Sequence, residues 1–312
     1  MKNIILGILL ILLAYQSRSQ DINSSQFYAV LSNVNPAFTG FFNNDYFAAA
    51  IYKNQWSSVS VPFQTMGATA LVSLLKNKKP NSIVGTGIDI IHDRAGTTNF
   101  NTTVFNLNVS FLQVLDKRRS HIIGVGFQNG LVMRRFDLSK ATFGNQFNGY
   151  DGFDQSIGAG ENGLNTKQLD YNLGIGGLYS YSPKAHNNLY VSISAFNLTR
   201  PNVSFYTGHE NRLYTRYTAF VGGEVSLKGN WSLLPSAIFQ KQGPSMEVMF
   251  GSFARYGLVR NRKEMLGINF GMWYRYDDAI VPGIGGAGGG GGGGGGEKLG
   301  DRSAVAARWA LI

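Results

Sequence analysis

The chain has no cysteine among its 312 residues. That excludes structural disulfides, thiolate metal sites and a cysteine nucleophile, while leaving the compartment open. Charge is scarce as well: Asp, Glu, Lys and Arg make up 15%, against about a quarter in an ordinary soluble domain. Histidine is confined to His92, His121, His186 and His209, too far apart for an HExxH helix or a comparable ligand set. Beyond residue 19 no apolar run approaches the about 18 residues of a membrane-spanning helix, which excludes a helical membrane protein. What abounds is glycine, 40 residues, and aromatics, 13%. This composition is too apolar for disorder and too glycine-rich for a helical bundle, and it points to an all-β class.

The two ends differ from the body. Residues 1–19 begin with Lys2, continue through an apolar stretch from Ile4 to Leu13 and end in Ser17-Arg18-Ser19. This pattern is that of a secretory signal peptide cleaved near Ser19; the alternative, a membrane anchor, needs a longer apolar core. At the other end, residues 285–296 hold eleven glycines and Ala287. Either the run is a flexible linker to a terminal peptide, or a homopolymer tract has replaced the true C-terminus. Residues 285–312 are therefore expected to be a Gly-rich tail outside the fold. Residues 20–284 carry 23 of the 28 basic and 16 of the 18 acidic residues.

Within that body the sequence alternates. Phe105, Leu107, Val109 and Phe111 share one parity; Asn106, Asn108 and Ser110 share the other. That is a strand with one greasy and one wet face. The pattern returns at 122–131, 171–180, 188–194, 216–225 and 266–272, with less regular candidates at 46–55, 63–75, 83–93, 231–240 and 247–256. The expectation is eleven strands plus a fragment, 279–284. Most are longer than the about 5 or 6 residues usual in soluble sheets and suit the about 9 to 11 of an outer-membrane strand. Aromatics such as Tyr52, Trp56, Tyr179, Trp231 and Tyr276 gather near strand ends, as at a lipid–water interface. The expected fold is an all-β, antiparallel outer-membrane transmembrane β-barrel over residues 20–284, with residues 20–44 in the periplasm or plugging the barrel. Because bacterial barrels close with an even strand number, two or three closing strands are expected where the glycine run stands.

Placing the mature N-terminus in the periplasm puts one set of turns there. They contain Lys76, Lys78, Lys79, Lys117, Arg118, Arg119, Lys184, Lys228, Arg260, Arg262 and Lys263. This basic rim fits anionic phospholipid headgroups of the inner leaflet, or an acidic periplasmic partner. The opposite loops are longer, above all 137–168. Asp89, Arg134, Arg216 and Glu224 fall on the inner face, as lumen ion pairs or as partner contacts. Nothing points to nucleic acid, to a cofactor or to a metal.

Catalytic signals are weak. His92 and Asp93 end a strand and offer half of an acid–base pair, with a rim histidine as the plainer reading. Gly85-Thr-Gly87, Gly124-Val-Gly126 and Gly174-Ile-Gly176 look like phosphate loops, yet each fails GxGxxG at its last position, which is Ile90, Asn129 and Tyr179. Inner-face glycines that relieve crowding or let strands bend are the better reading.

Several motifs in series carry more. Asn35-Pro36-Ala37-Phe38-Thr39-Gly40 is followed by Tyr52-Lys53-Asn54-Gln55-Trp56. Then come Gly85-Thr-Gly87-Ile88 with Asp93-Arg94-Ala95-Gly96, the stretch from Phe136 to Gln146 ending Gly144-Asn145-Gln146, Leu234-Pro235-Ser236, and the run from Gly271 to Ala279. Over residues 24–284 the chain resembles the PorP/SprF family of type IX secretion system membrane proteins, found in Bacteroidetes. The resemblance implies a non-enzymatic outer-membrane barrel that supports secretion or surface anchoring of a cargo protein. That cargo would carry a type B C-terminal signal domain, as gliding adhesins do, and other type IX components would be partners. Asn35, Pro36 and Gly40 would form an N-terminal turn or contact cargo. Gln55 and Trp56 would sit at the outer rim, as interface anchor or partner contact. The alternative function is a passive porin or small-solute channel, suggested by the polar inner face; an outer-membrane hydrolase lacks a persuasive Ser/His/Asp set.

Overall fold

The computed structural model describes residues 30–42, 45–55, 61–74, 81–150, 152–154, 156–158, 160–161, 163–184, 187–260 and 264–290. The signal peptide, Trp56, Lys76, Lys78, Lys79, Arg262, Lys263 and residues 291–312 lie outside them. Twelve strands form one antiparallel sheet in chain order: β1 Tyr46–Gln55, β2 Phe63–Leu74, β3 Ser82–Ala95, β4 Phe100–Val114, β5 His121–Arg135, β6 Lys167–Lys184, β7 Asn187–Phe196, β8 Arg216–Ser226, β9 Trp231–Gln242, β10 Ser245–Arg260, β11 Glu264–Arg275 and β12 Ala279–Gly290. Each strand pairs with its chain neighbours. No helix among the described residues is long and apolar enough to cross a membrane; here the strands do so.

The sheet is inside out relative to a soluble protein. On β5, Phe127 is 57% exposed while its neighbour Gln128 is 6% exposed. The same alternation puts Asn106, Asn108 and Ser110 of β4 inside and Phe105, Leu107, Val109 and Phe111 outside. Across the strands roughly forty large apolar side chains are exposed, and half-exposed each forfeits about 1 kcal/mol in water. That total exceeds the about 5–15 kcal/mol by which a folded domain is stable. The outer face therefore requires an apolar surround, which a bilayer supplies.

The sheet curls without closing. Lys53 on β1 lies within electrostatic reach of Glu247 on β10 and Arg275 on β11, yet no pairing joins β1 to β12 among the described residues. The expected fragment at 279–284 is a full strand, and β12 continues through Gly290, half of it glycine. Glycine carries no side chain to alternate, so only its pairing with β11, from Ala279 opposite Arg275 to Gly290 opposite Glu264, reveals the strand.

The concave side is filled by the chain's own N-terminal segment, residues 30–42, which makes two short 3-10 turns, Leu31–Asn33 and Pro36–Phe38. Val34, Ala37, Phe38 and Phe41 join Leu112, Leu178, Tyr190, Phe220, Met249, Phe253 and Trp273 from the strands in one core. Phe38 meets the Tyr190 and Phe220 rings edge-on at 5.7 and 5.8 Å. Trp273 packs 4.3 Å from Phe253 and donates its indole N–H to Ser236 Oγ at 3.3 Å. Leu234-Pro235-Ser236 and the Trp273 motif are thus two halves of one contact.

Candidate functional site

Three regions hold the residues singled out from the sequence: the seat of the N-terminal segment, the inner charges, and the loop end.

The seat is built from polar side chains and bare glycines. Asn35 is fully buried. Its Oδ1 accepts from Ala37 N at 2.8 Å, capping the turn that Pro36 opens, and its Nδ2 donates to Ile193 O at 2.8 Å and Gly177 O at 3.0 Å. Ser194 Oγ donates to Val34 O at 2.7 Å, Ser73 Oγ to Gly40 O at 3.3 Å, and Ser110 Oγ to Thr39 O. Backbone carbonyls of an irregular segment buried among strands need such donors. Glycine makes the approach possible: a Cβ on Gly85, Gly126 or Gly176 would fall 2.1 Å from Thr39 O, 2.2 Å from Ala37 N or 2.0 Å from Asn35 Oδ1. Gly40 itself has φ +84° and lies against Gly85. The three Gly-x-Gly repeats are therefore neither phosphate loops nor only points of flexure. One glycine of each repeat forms part of the floor under the Asn-Pro-Ala-Phe-Thr-Gly box. This role was missed from sequence, although all three glycines share the inner parity that could have signalled it. Asn35, Pro36 and Gly40 all lie on the concave side of the sheet, where they hold the chain to itself.

Two of the four inner charges singled out from the sequence, Arg134 and Glu224, sit in ion pairs. Arg134 meets Asp170 at 2.5 Å, and buried Glu224 meets buried Arg255 at 3.4 Å, with Arg255 Nε donating to Asn269 at 3.0 Å. Arg216 lies over the Phe196 ring, 4.7 Å from its centroid. Asp89 differs: it accepts from Thr69 Oγ1 at 2.6 Å, from Ser32 Oγ at 3.2 Å and from Asn108 Nδ2, with no Lys or Arg among these partners. The lumen ion pair expected there is a hydroxyl and amide cradle, because Ser32 arrives from the N-terminal segment. His92 and Asp93 point to opposite faces of β3. His92 Nδ1 meets Thr103 Oγ1 at 2.9 Å, and Asp93 accepts from Thr65 at 2.5 Å, so the two do not form an acid–base pair.

At the loop end, the connections β5–β6 and β7–β8 are stitched together. Asn165 N donates to Phe205 O at 2.8 Å, Thr207 N to Gly163 O at 2.9 Å, and Tyr206 O–H to Glu161 at 2.7 Å. That last bond holds the Tyr206 hydroxyl above its usual pKa, because the Glu161 carboxylate accepts a hydrogen bond that only the protonated phenol can donate. Phe205 packs edge-on against Phe136 and Phe100. Gln146, buried, accepts from Phe143 N at 3.0 Å and donates to Ile157 O at 2.9 Å. The loop it braces pairs Phe147 with Phe153 and presents Tyr150, 96% exposed, at its tip. Gly144-Asn145-Gln146 is thus a brace for an aromatic surface. Gln55 ends β1, exposed, opposite Phe63.

At the short-turn end the described basic residues are Lys117, Arg118, Arg119, Lys184, Lys228 and Arg260. Asp116 accepts from His121 N at 2.9 Å there, a bond that holds its carboxyl below the usual range. Among the described residues no cluster of three or more His, Asp or Glu could hold a metal.

Comparison with curated proteins returned no match. Comparison with protein families matched residues 16–288, most of the chain and all but the last two residues of β12, to the type IX secretion system membrane protein PorP/SprF. The inside-out sheet agrees with a membrane protein, and the chain belongs to the PorP/SprF family of type IX secretion system membrane proteins.

Proposed function

We propose that this chain is a non-enzymatic outer-membrane barrel that holds a specific type IX cargo protein at the cell surface. The cargo would bear a type B C-terminal signal domain, as a gliding adhesin does, and the loop end would receive it. The observation that carries this reading is the filled lumen. Residues 30–42 bury Val34, Ala37, Phe38 and Phe41 in a core shared with nine strands, β3 to β11. A passive porin needs a water-filled channel, and this interior is packed. Recognition then falls to the outside. The braced aromatic tip, Phe147, Tyr150 and Phe153 among Gly, Asn and Ser, has the composition that protein-recognition loops favour.

The test is affinity purification of the tagged chain from its native host in mild detergent. One secreted protein, bound through its C-terminal domain and lost from the cell surface on deletion of this gene, supports the reading. Steady ion conductance in planar bilayers with no bound cargo would replace it with a pore.

A further inference from the structure

At the short-turn end, the last outward-facing row before the turns runs Leu115, His121, Tyr181, Leu189. Leu115 N donates to His121 O at 2.9 Å, and His121 pairs with Tyr181, which pairs with Leu189. Leu115, Tyr181 and Leu189 are exposed, so the row faces the apolar surround. In its middle sits an imidazole, stacked on Tyr181 at 4.8 Å and joined through Nδ1 to Tyr179 O–H at 2.8 Å. Directly beyond it, the β4–β5 turn carries Lys117, Arg118 and Arg119, with Arg119 at φ +57°. Ser182 N donates to Ser120 O at 2.8 Å, which extends the β5–β6 pairing past His121 and brings Lys184 to the same end.

We infer that this patch is a binding site for the phosphodiester headgroup of an anionic phospholipid. In the tautomer in which Tyr179 O–H donates to Nδ1, the His121 hydrogen sits on Nε2 and can be donated to a phosphate oxygen. The Lys117–Arg119 turn supplies the charge, and the acyl chains lie along Leu115, Tyr181 and Leu189. The only acid in the turn, Asp116, is engaged by the backbone N–H of His121. A soluble phosphate could meet the cations, but only a lipid uses the apolar row as well, and that commits the site to a lipid. Further along the sheet at the same end, Trp231 on β9 packs 5.0 Å from Tyr256 on β10, and the β8–β9 turn beside Trp231 holds the single cation Lys228. That turn, with one cation and no histidine in the row above it, is the internal control for the β4–β6 patch.

The purified full chain in detergent would be mixed with phosphatidylglycerol or phosphatidylcholine of matched acyl chains, and the bound lipid counted by native mass spectrometry. Phosphatidylglycerol should be retained over phosphatidylcholine. K117S/R118S/R119S should lower that retention by roughly fivefold per cation removed, while K228S leaves it unchanged. His121→Phe, which keeps the ring stack and removes the donor, should lower retention and leave heat-dependent gel mobility unaltered. Should the triple variant fail to fold, His121→Phe decides. Equal retention of both lipids, wild-type retention by His121→Phe, or displacement of the lipid by millimolar inorganic phosphate would each overturn the proposal.

Discussion

The side chain of Asn35 occupies the space that a Cβ on Gly176 would need, since an added carbon there would lie 2.0 Å from Asn35 Oδ1. These two residues stand 141 positions apart in a chain whose strands otherwise pair with their neighbours. Their contact ties the N-terminal segment to the far wall of the lumen, and its dependence on glycine makes it testable by adding single carbons.

Gly126→Ala places a methyl against the backbone N of Ala37, which unlike a side chain cannot swing away. Overpacking of this kind costs about 1–3 kcal/mol. The expected outcome is a lower urea midpoint for the folded chain in detergent, and conductance in planar bilayers above that of the parent chain. Gly144→Ala, with nothing within 4 Å of its added carbon, should change neither. Equal behaviour of the two variants would show that the segment is not seated on β5.

Asn35→Ala removes a turn cap and the donor shared by two strand carbonyls. Losing a cap costs about 0.5–2 kcal/mol, and buried acceptors left without donors cost about 1–3 kcal/mol more. Unfolding should therefore show a loss of about 2–4 kcal/mol, larger than that for Ser73→Ala, which removes one long bond to Gly40 O.

Glu224 and Arg255 are buried together, so each alone is an uncompensated charge in a low-dielectric lumen. Arg255→Leu should destabilise by about 3–5 kcal/mol, whereas E224L/R255L should recover most of that loss. A double variant as damaged as the single one would show that Asn269 and Asn188, which also bond this pair or its backbone, matter more than the charges do.

The strands were legible because a membrane sheet writes its two faces into every strand. Phe105 to Phe111 alternates with Asn106 to Ser110 without help from any distant residue, and β1 falls at Tyr46–Gln55 as expected. What was not legible depends on partners far along the chain. Nothing near Gly85 or Gly126 announces that Thr39 or Ala37 will lie on it. Nothing near Asp89 announces Ser32, so an ion pair was the natural expectation. In β12 the glycines have no side chains to alternate, and the strand emerges only from its pairing with β11. Gly144-Asn145-Gln146 stood out as a motif, but nothing in its spacing told that the Gln146 amide would bond on both sides of the loop it closes.

That brace yields a prediction separable from barrel stability. Gln146→Ala removes the acceptor for Phe143 N and the donor to Ile157 O, both in a loop outside the sheet. The twelve strands make no use of these bonds, so the urea midpoint in detergent should stay near the parent value. The Phe147–Phe153 pair and the exposed Tyr150 depend on the loop's shape, so protease sensitivity between residues 143 and 157 should rise and the amount of cargo retained at the cell surface should fall. Tyr150→Ala, which leaves the brace intact, should lower retention without raising protease sensitivity, since a tip tyrosine at an interface centre is worth about 2 kcal/mol or more when truncated. Full retention in both variants would move recognition away from this loop, and the stitched surface of Glu161, Phe205 and Tyr206 would be the next to truncate.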